Sequence, residues 1–325
     1  MVDAKVGTLE VPEAPQLEYY KVPIDLYRDG DQLDADLYIY YQGHYIAYKS
    51  KGAPWNSGTD ERKLQETGVS DLYIKCESRR DHHRFLEVKL ERLLDRSNVP
   101  LAKKAQVLYE IADPVLSTVY STPESAENIA SAAGYVKNCI KYLNERGSLP
   151  ELIELSAKTL TEHTHALHVS TYSIALAKKA GFQSYEEVFA MGMGALLHDI
   201  GKSKIDQKIL NKPAELDDDE WQTVRQHPKL GEEILERRQL VPVLSRRVVY
   251  EHHERVNGKG YPRGIKGIHV FSRIVGMADC FNALTSERTY SKAMTPFDAL
   301  KYMITSMKYE FDETLLASFI EMLSK

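Results

Sequence analysis

The sequence predicts a mainly α protein in three parts: a small mixed α/β domain over residues 1–99, a helical linker over 100–150, and an all-helical domain over 151–325. Three observations carry that prediction. Short aromatic and β-branched runs separated by turns fill the first part. The stretch 100–146 keeps helical periodicity with one apolar stripe. From 151 onward helix follows helix, with no strand-rich core, internal repeat or low-complexity segment.

In the first part, "DADLYIYYQGHYIAYKS" places aromatic and β-branched residues on both sides of Gln42-Gly43, which predicts a hairpin. "KVPIDLY" and "VSDLYIKC" are runs of the same kind. Leu86, Leu90, Leu93 and Leu94 then repeat at helical spacing in "RFLEVKLERLL". His82 and His83 lie in a charged run and read as surface residues.

In the linker, Thr122-Pro123 reads as a cap and first helical position, and Ile129, Ala132, Val136, Ile140 and Leu143 form one stripe. That stripe must bury against the next domain or a second subunit. Further on, Asp217 and Glu220 have capping-box spacing at the head of "DDDEWQTVRQHPKLGEEILERR", which reads as one helix containing His227.

Composition narrows the function classes. Hydrophobic residues make up 43% of the 325-residue chain, enough for real cores, and 42 Lys+Arg against 47 Asp+Glu leave a formal charge of −5. That balance argues against DNA or RNA as a partner. Three cysteines with no CxxC spacing point to a reducing compartment, and the start of the chain shows no apolar secretory core. No apolar run approaches the roughly 18 residues of a membrane span. A cytoplasmic protein is expected. The chain has no dinucleotide fingerprint, and Gly201-Lys202-Ser203 lacks the first glycine of a phosphate-binding loop, since Leu196 stands there.

Seven of the eleven histidines fall between His163 and His253. A single histidine on an apolar helix is ordinarily a satisfied core residue, but these recur with carboxylates at the ends of apolar runs. "LLHDIGK" carries His198-Asp199, "VVYEHHE" carries His252-His253, and "FSRIVGMAD" carries Asp279; His165 and His227 add two more imidazoles. Buried imidazoles and carboxylates cost heavily unless paired or metal-bound. Neighbouring helix residues do not share a face, so His198 and Asp199 reach two nearby ions more readily than one, with Asp199 bridging. A shell of nitrogen and oxygen suits Fe, Mn, Ni, Co or Zn in a catalytic role, and two such ions roughly 3.5–4 Å apart are an arrangement for phosphoester cleavage. Lys202 would add a cation, although a lone lysine is usually only solvated.

"HDIGK" at 198–202, "HHERVNGKGYPRGIKG" at 252–267 and "ADCFNALTSERTY" at 278–290 resemble the signatures of the HD-GYP family, a branch of the HD-domain metal-dependent phosphohydrolases. The resemblance covers roughly residues 160–305. It implies an HD-type helical domain that hydrolyses cyclic di-GMP to linear pGpG, and on to GMP, with a hydroxide activated by two divalent transition metals, Fe or Mn before Ni, Co or Zn. It implies His165, His198, Asp199, His227, His252, His253 and Asp279 as metal ligands. Lys202 is implied beside the scissile phosphate, Arg288 on a phosphate oxygen, and Gly260, Tyr261 and Pro262 as a loop shaping the site. The expected shells are His165, His198 and Asp279 on one side and His227, His252 and His253 on the other.

Some positions depart from the family pattern. Asn257 and Asn282 stand where aspartates are usual, Thr161 where a third-metal glutamate is found (with Glu162 next to it), and Ser291 where a basic residue is expected, Lys292 being one place later. These are expected to weaken substrate grip more than metal binding. They keep alive a sensor that binds a cyclic dinucleotide or protein partner, or an enzyme for another cyclic dinucleotide. A homodimer or signalling partner would engage the N-terminal domain or the 100–146 segment.

Overall fold

The computed structural model describes residues 17–69, 71–156, 162–237, 239, 241–286 and 293–324. Contacts divide the chain after His82 into two compact units.

The first unit is built on an antiparallel sheet of β1 (Glu18–Val22), β2 (Leu37–Tyr41), β3 (His44–Lys49) and β4 (Leu72–Cys76), in the order β1-β4-β2-β3, with helix α1 (Ser57–Glu66) between β3 and β4. The hairpin turn falls at Gln42-Gly43 as expected, both residues having positive φ (47° and 85°). This is the conformation a two-residue turn needs to match strand twist. Side chains alternate across the sheet, so Val22, Leu37, Leu72 and Ile74 are buried, while exposed Tyr40 and Tyr45 belong to the other set. "KVPIDLY" is a strand only as far as Val22, and Pro23 then leads into a 3₁₀ turn at Ile24–Leu26. Helix α2 (Arg79–Leu94) follows β4. His82 and His83 are buried, not on the surface. The His82 Nε2–H donates to the Lys21 carbonyl at 2.7 Å and the ring stacks on Tyr20, interactions the charged local sequence conceals.

Among the described residues the second unit is helical throughout, with no strand between 165 and 280. Its helices are α3 (Leu101–Ser121), α4 (Ala126–Leu143), α5 (Ser148–Ser156), α6 (Glu162–Lys179), α7 (Tyr185–Leu196), α8 (Gln207–Leu210), α9 (Asp218–Val224), α10 (His227–Glu236), α11 (Val243–Glu251), α12 (Val270–Thr285), α13 (Pro296–Thr305) and α14 (Glu313–Leu323). α4 starts later than Thr122-Pro123 implied. Ser125 is its cap, accepting from the Asn128 N–H, and Thr122 instead closes α3. The linker stripe is spent within this unit: α3 and α4 pack on each other and on α6 and α7, burying Ile129, Ala132, Val136 and Ile140.

The helix expected from Asp217 to beyond His227 is two helices. The Asp217–Glu220 capping box is present and starts α9, but α9 stops at Val224 and α10 restarts at His227. Pro228 explains the break: without an N–H and with a ring that clashes with the preceding turn, it belongs at a helix start. α6, α7, α11 and α12 pack together as the centre of the unit. No helix among the described residues is long and apolar enough to cross a membrane.

Candidate metal centre

Three of the histidines sit at or just past helix C-termini and use the same local device. The last carbonyls of a helix have no intrahelical partner. His198 Nδ1–H donates to the Ala195 carbonyl at 2.7 Å after α7, His227 to Val224 at 2.8 Å after α9, and His252 to Val249 at 2.7 Å after α11. Each bond satisfies an orphan acceptor and fixes the imidazole tautomer, leaving the Nε2 lone pair directed away from the helix. His165 is carried by α6, and its Nδ1–H donates instead to Asn282 Oδ1 of α12 at 2.7 Å.

The four Nε2 atoms converge in pairs. His165 and His198 face each other at 3.2 Å, as do His227 and His252. With the Nδ1 protons of His227 and His252 committed to carbonyls and burial pushing both rings down, their Nε2 atoms are lone pairs facing each other, an arrangement that calls for a cation between them. At the other pair burial is outweighed by Asp199 and Asp279, which raise His198, so that side draws positive charge to the same spot. Asp199 Oδ1, likewise buried, has no hydrogen-bond partner among the described residues. These residues fit a metal.

Two ligand groups result: Asp199, His227, His252 and His253, and His165, His198 and Asp199, the atoms of each lying within 4.8 Å of one another. Asp199 belongs to both. Its Oδ2 is 3.3 Å from His198 Nε2 and 3.8 Å from His165 Nε2, while Oδ1 is 3.3 Å from His227 Nε2. Asp279 also faces both sides, with Oδ1 at 3.3 Å from His165 Nε2 and Oδ2 at 3.8 Å from His253 Nδ1. The donors are all nitrogen and oxygen. Cys280, beside Asp279, turns its sulfur to Met307.

Electrostatics hold this set ready for cations. Burial alone would raise the Asp199 carboxyl, but Lys202 and His198 bring it well below the usual carboxylate range. Asp279 is likewise driven well below that range, the His165, His198 and His253 imidazoles outweighing its burial. Burial pushes His252 and His253 well down and His227 to about 4, so these rings are neutral near pH 7 with lone pairs free to ligate.

Lys202 lies in a 3₁₀ turn, Ile200–Lys204, and its Nζ donates to Asp199 Oδ2 at 2.6 Å. The glycine before it is required by packing. A Cβ on Gly201 would stand 2.0 Å from the His227 carbonyl oxygen and 2.6 Å from the Gly231 nitrogen. The turn bearing Asp199 and Lys202 is thus pressed against the start of α10.

Gly260, Tyr261 and Pro262 form the loop wall. A Cβ on Gly260 would lie 2.4 Å from the His253 carbonyl oxygen, so only glycine allows the loop this close. The Tyr261 N–H donates to that same carbonyl, and its ring stacks on His253 with centroids 4.6 Å apart. Two carboxylates pin the loop. Glu254 accepts from the Arg263 and Ile265 N–H groups, and Glu251 accepts from Arg263, Arg247, Ser272 and the His269 N–H.

All seven expected metal-ligand positions meet here, together with Lys202 and the 260–262 loop. Arg288, Ser291, Lys292, Thr161 and the Glu162 side chain lie outside the described residues. Asn282, expected to weaken substrate grip, is set by the structure against His165, one of the expected metal ligands. Its Nδ2–H also donates to His168 Nδ1 at 3.2 Å, and His168 is fully buried with a pKa lowered to about 3 by burial and by His165. Asn257 accepts from the Lys259 N–H and shapes the loop turn. The motifs also left unread the parts of Glu251, Glu254 and His168. Glu254 had a signal, being the residue directly after His252-His253.

An HD domain model matches residues 147–315, more than half of the chain, and the chain belongs to that family. Its HHE, GYP and downstream aspartate segments place it in the HD-GYP branch. A 3'3'-cGAMP-specific phosphodiesterase 3 of Vibrio cholerae is 34% identical over 166 residues, 50% of this chain and 36% of that protein. A cyclic di-GMP phosphodiesterase of Pseudomonas aeruginosa is 30% identical over 220 residues, 67% of this chain and 51% of the other. The chain thus spans between about a third and half of the length of these curated relatives. Among solved structures, a HDG"Y"P protein from Bdellovibrio bacteriovorus shares the fold with a TM-score of 0.65 at 19% identity, over 95% of this chain and 100% of that one.

Proposed function

We propose that the chain is a metal-dependent phosphodiesterase that opens cyclic di-GMP to linear pGpG and carries it on to GMP. The observation that carries this reading is the pair of histidine groups sharing Asp199, each with two Nε2 atoms facing each other at 3.2 Å, beside a lysine. Asp199 is the bridging ligand in this reading; His165, His198 and Asp279 complete one shell, and His227, His252 and His253 the other. Two divalent ions of Fe or Mn, held there, would supply Lewis acidity toward a phosphoryl oxygen and a water with its pKa drawn toward neutrality.

The chain's own groups divide the remaining work. Lys202, anchored on Asp199, stands where negative charge builds on the phosphoryl oxygens in the transition state. Arg288 holds a phosphate oxygen in the ground state. Gly260, Tyr261 and Pro262 wall the site and keep bulk water from the His253 side. We place the protein in the cytoplasm, in keeping with Cys76, Cys139 and Cys280 all being free thiols. A homodimer or signalling partner is assigned to the N-terminal unit, since the linker stripe is already covered.

The test is turnover of cyclic di-GMP and of 3'3'-cGAMP by protein loaded with defined metals. Linear product from cyclic di-GMP with Fe or Mn is expected. Lys202→Met should depress kcat with little change in KM, and Arg288→Ala should chiefly raise KM. Faster turnover of 3'3'-cGAMP, for which the Vibrio cholerae relative is named, would reassign the substrate. Dinucleotide binding with no product under any metal would replace the enzyme with a sensor.

A further inference from the structure

The Tyr261 ring makes a second face contact besides His253. The Arg225 guanidinium lies over it, 4.6 Å from the centroid. The His253 ring is also 4.6 Å away and stacked, so Tyr261 links the guanidinium to the imidazole. Arg225 closes α9, and its N–H donates to the Trp221 carbonyl at 3.0 Å, so residues 221 and 225 lie one turn apart on the same helix face. Trp221 is 47% exposed. A single exposed aromatic is ordinary on any protein surface. Here it is aligned with a guanidinium that forms no ion pair with a described carboxylate and stacks on the ring covering a metal ligand.

The geometry points to Trp221 and Arg225 as a nucleobase subsite that reads guanine in the substrate. This rests on the cyclic-dinucleotide reading above. With its carbon over the Tyr261 ring and no ion pair to a described carboxylate, the guanidinium has N–H donors to offer a ligand. These match the O6 and N7 acceptors of guanine in a two-bond fork, whereas adenine presents a donor at N6. The indole adds a stacking surface that takes any base. The phosphate lies at the metal groups and Lys202, and the base reaches past Tyr261 to α9. Arg225 then sets base preference, and Trp221 sets affinity without preference.

Equilibrium binding of bis-phosphorothioate cyclic di-GMP and cyclic di-AMP to the metal-loaded full chain tests this, because the slow hydrolysis of these analogues separates binding from turnover. Arg225→Ala should weaken the guanine dinucleotide by about 10-fold and leave the adenine one nearly unchanged, as expected for loss of one forked base contact. Trp221→Ala should weaken both alike. Arg225→Lys, which keeps the charge without the fork, should lose the preference as Arg225→Ala does. Equal weakening of both dinucleotides by Arg225→Ala would make the arginine a mere prop for Tyr261 and overturn the inference. So would absence of guanine-dinucleotide binding in the wild type. Binding with the expected preference but no linear product would sink the catalytic reading and leave this subsite standing.

Discussion

Replacing Asn282 should separate the two halves of the centre. Its Oδ1 accepts from His165 Nδ1 at 2.7 Å, and its Nδ2–H donates to His168 Nδ1 at 3.2 Å; Asn282 and His168 are both buried. Asn282→Leu keeps the branched shape and removes both bonds. A buried polar group left without its partner costs roughly 1–3 kcal/mol, so the metal-free protein should lose about 2 kcal/mol of stability. Loss of the group orienting a ligating imidazole typically costs about 10–100-fold in metal affinity. That loss should fall on the His165, His198 and Asp199 group alone, because His227 and His252 take their orientation from backbone carbonyls.

Asn282→Asp should act in the opposite direction. A carboxylate makes His165 more basic and accepts a hydrogen bond from His168 once that ring takes its Nδ1–H tautomer. The proton then leaves His168 Nε2, which is buried and has no partner among the described residues. Titration with Mn²⁺ against a competing chelator resolves two binding steps. One step should weaken in Asn282→Leu and tighten in Asn282→Asp while the other stays fixed. Equal movement of both steps, or of neither, would refute the assignment of Asn282 to His165.

Three further outcomes are expected. Asp199→Ala removes a ligand from both groups, so elemental analysis should show a larger loss of metal than in any single histidine variant; a loss no greater than that of His227→Ala would count against bridging. Gly201→Ala must push the Ile200–Lys204 turn off the His227 carbonyl, because its Cβ would stand 2.0 Å from that oxygen; metal content and melting temperature should both fall, and an unchanged melting temperature would contradict the packing. In the N-terminal unit, buried Asp60 accepts from Lys49, Tyr48 and the Asn56 N–H. Burial alone would raise its pKa, but Lys49, the Asn56 N–H and Tyr48 together hold it below the usual range. A depressed carboxylate stabilises the fold above its unfolded value of about 3.9, and that contribution is lost as pH falls through the folded value. Asp60→Asn should therefore lower stability at pH 7 by about 2 kcal/mol and flatten its dependence on pH below 4, as read by denaturant melts at several pH values.

The candidate ligands were legible because each apolar run ends in a group that hydrocarbon cannot hold alone. "LLHD", "VVYEHH" and "IVGMAD" each carry that conflict in a few residues, and the fold resolves it by bringing them together. Periodicity likewise gave the helices and the Gln42-Gly43 hairpin. What local pattern could not supply was partnership across the chain. Asn282 meets His165 from 117 residues away, and nothing around either residue announces the other. The split at Pro228 was visible in the sequence, yet the continuous amphipathic pattern from Asp217 outweighed it. His82 and His83 misled because a charged neighbourhood describes the segment, whereas their burial depends on where the helix packs.

The helix-end bonds of His198, His227 and His252 have an evolutionary consequence. Their acceptors are main-chain oxygens of Ala195, Val224 and Val249, which every residue type at those positions would still provide. These oxygens are the negative ends of helix dipoles, so they enrich the ligating nitrogens without adding an ionisable group. Three of the four paired imidazoles are therefore aimed by atoms that no point mutation can delete. His165 alone is aimed by a side chain. Drift along the lineage can retune the aim of His165 one amino acid at a time, while the aim of His227 and His252 changes only if a helix end is rebuilt.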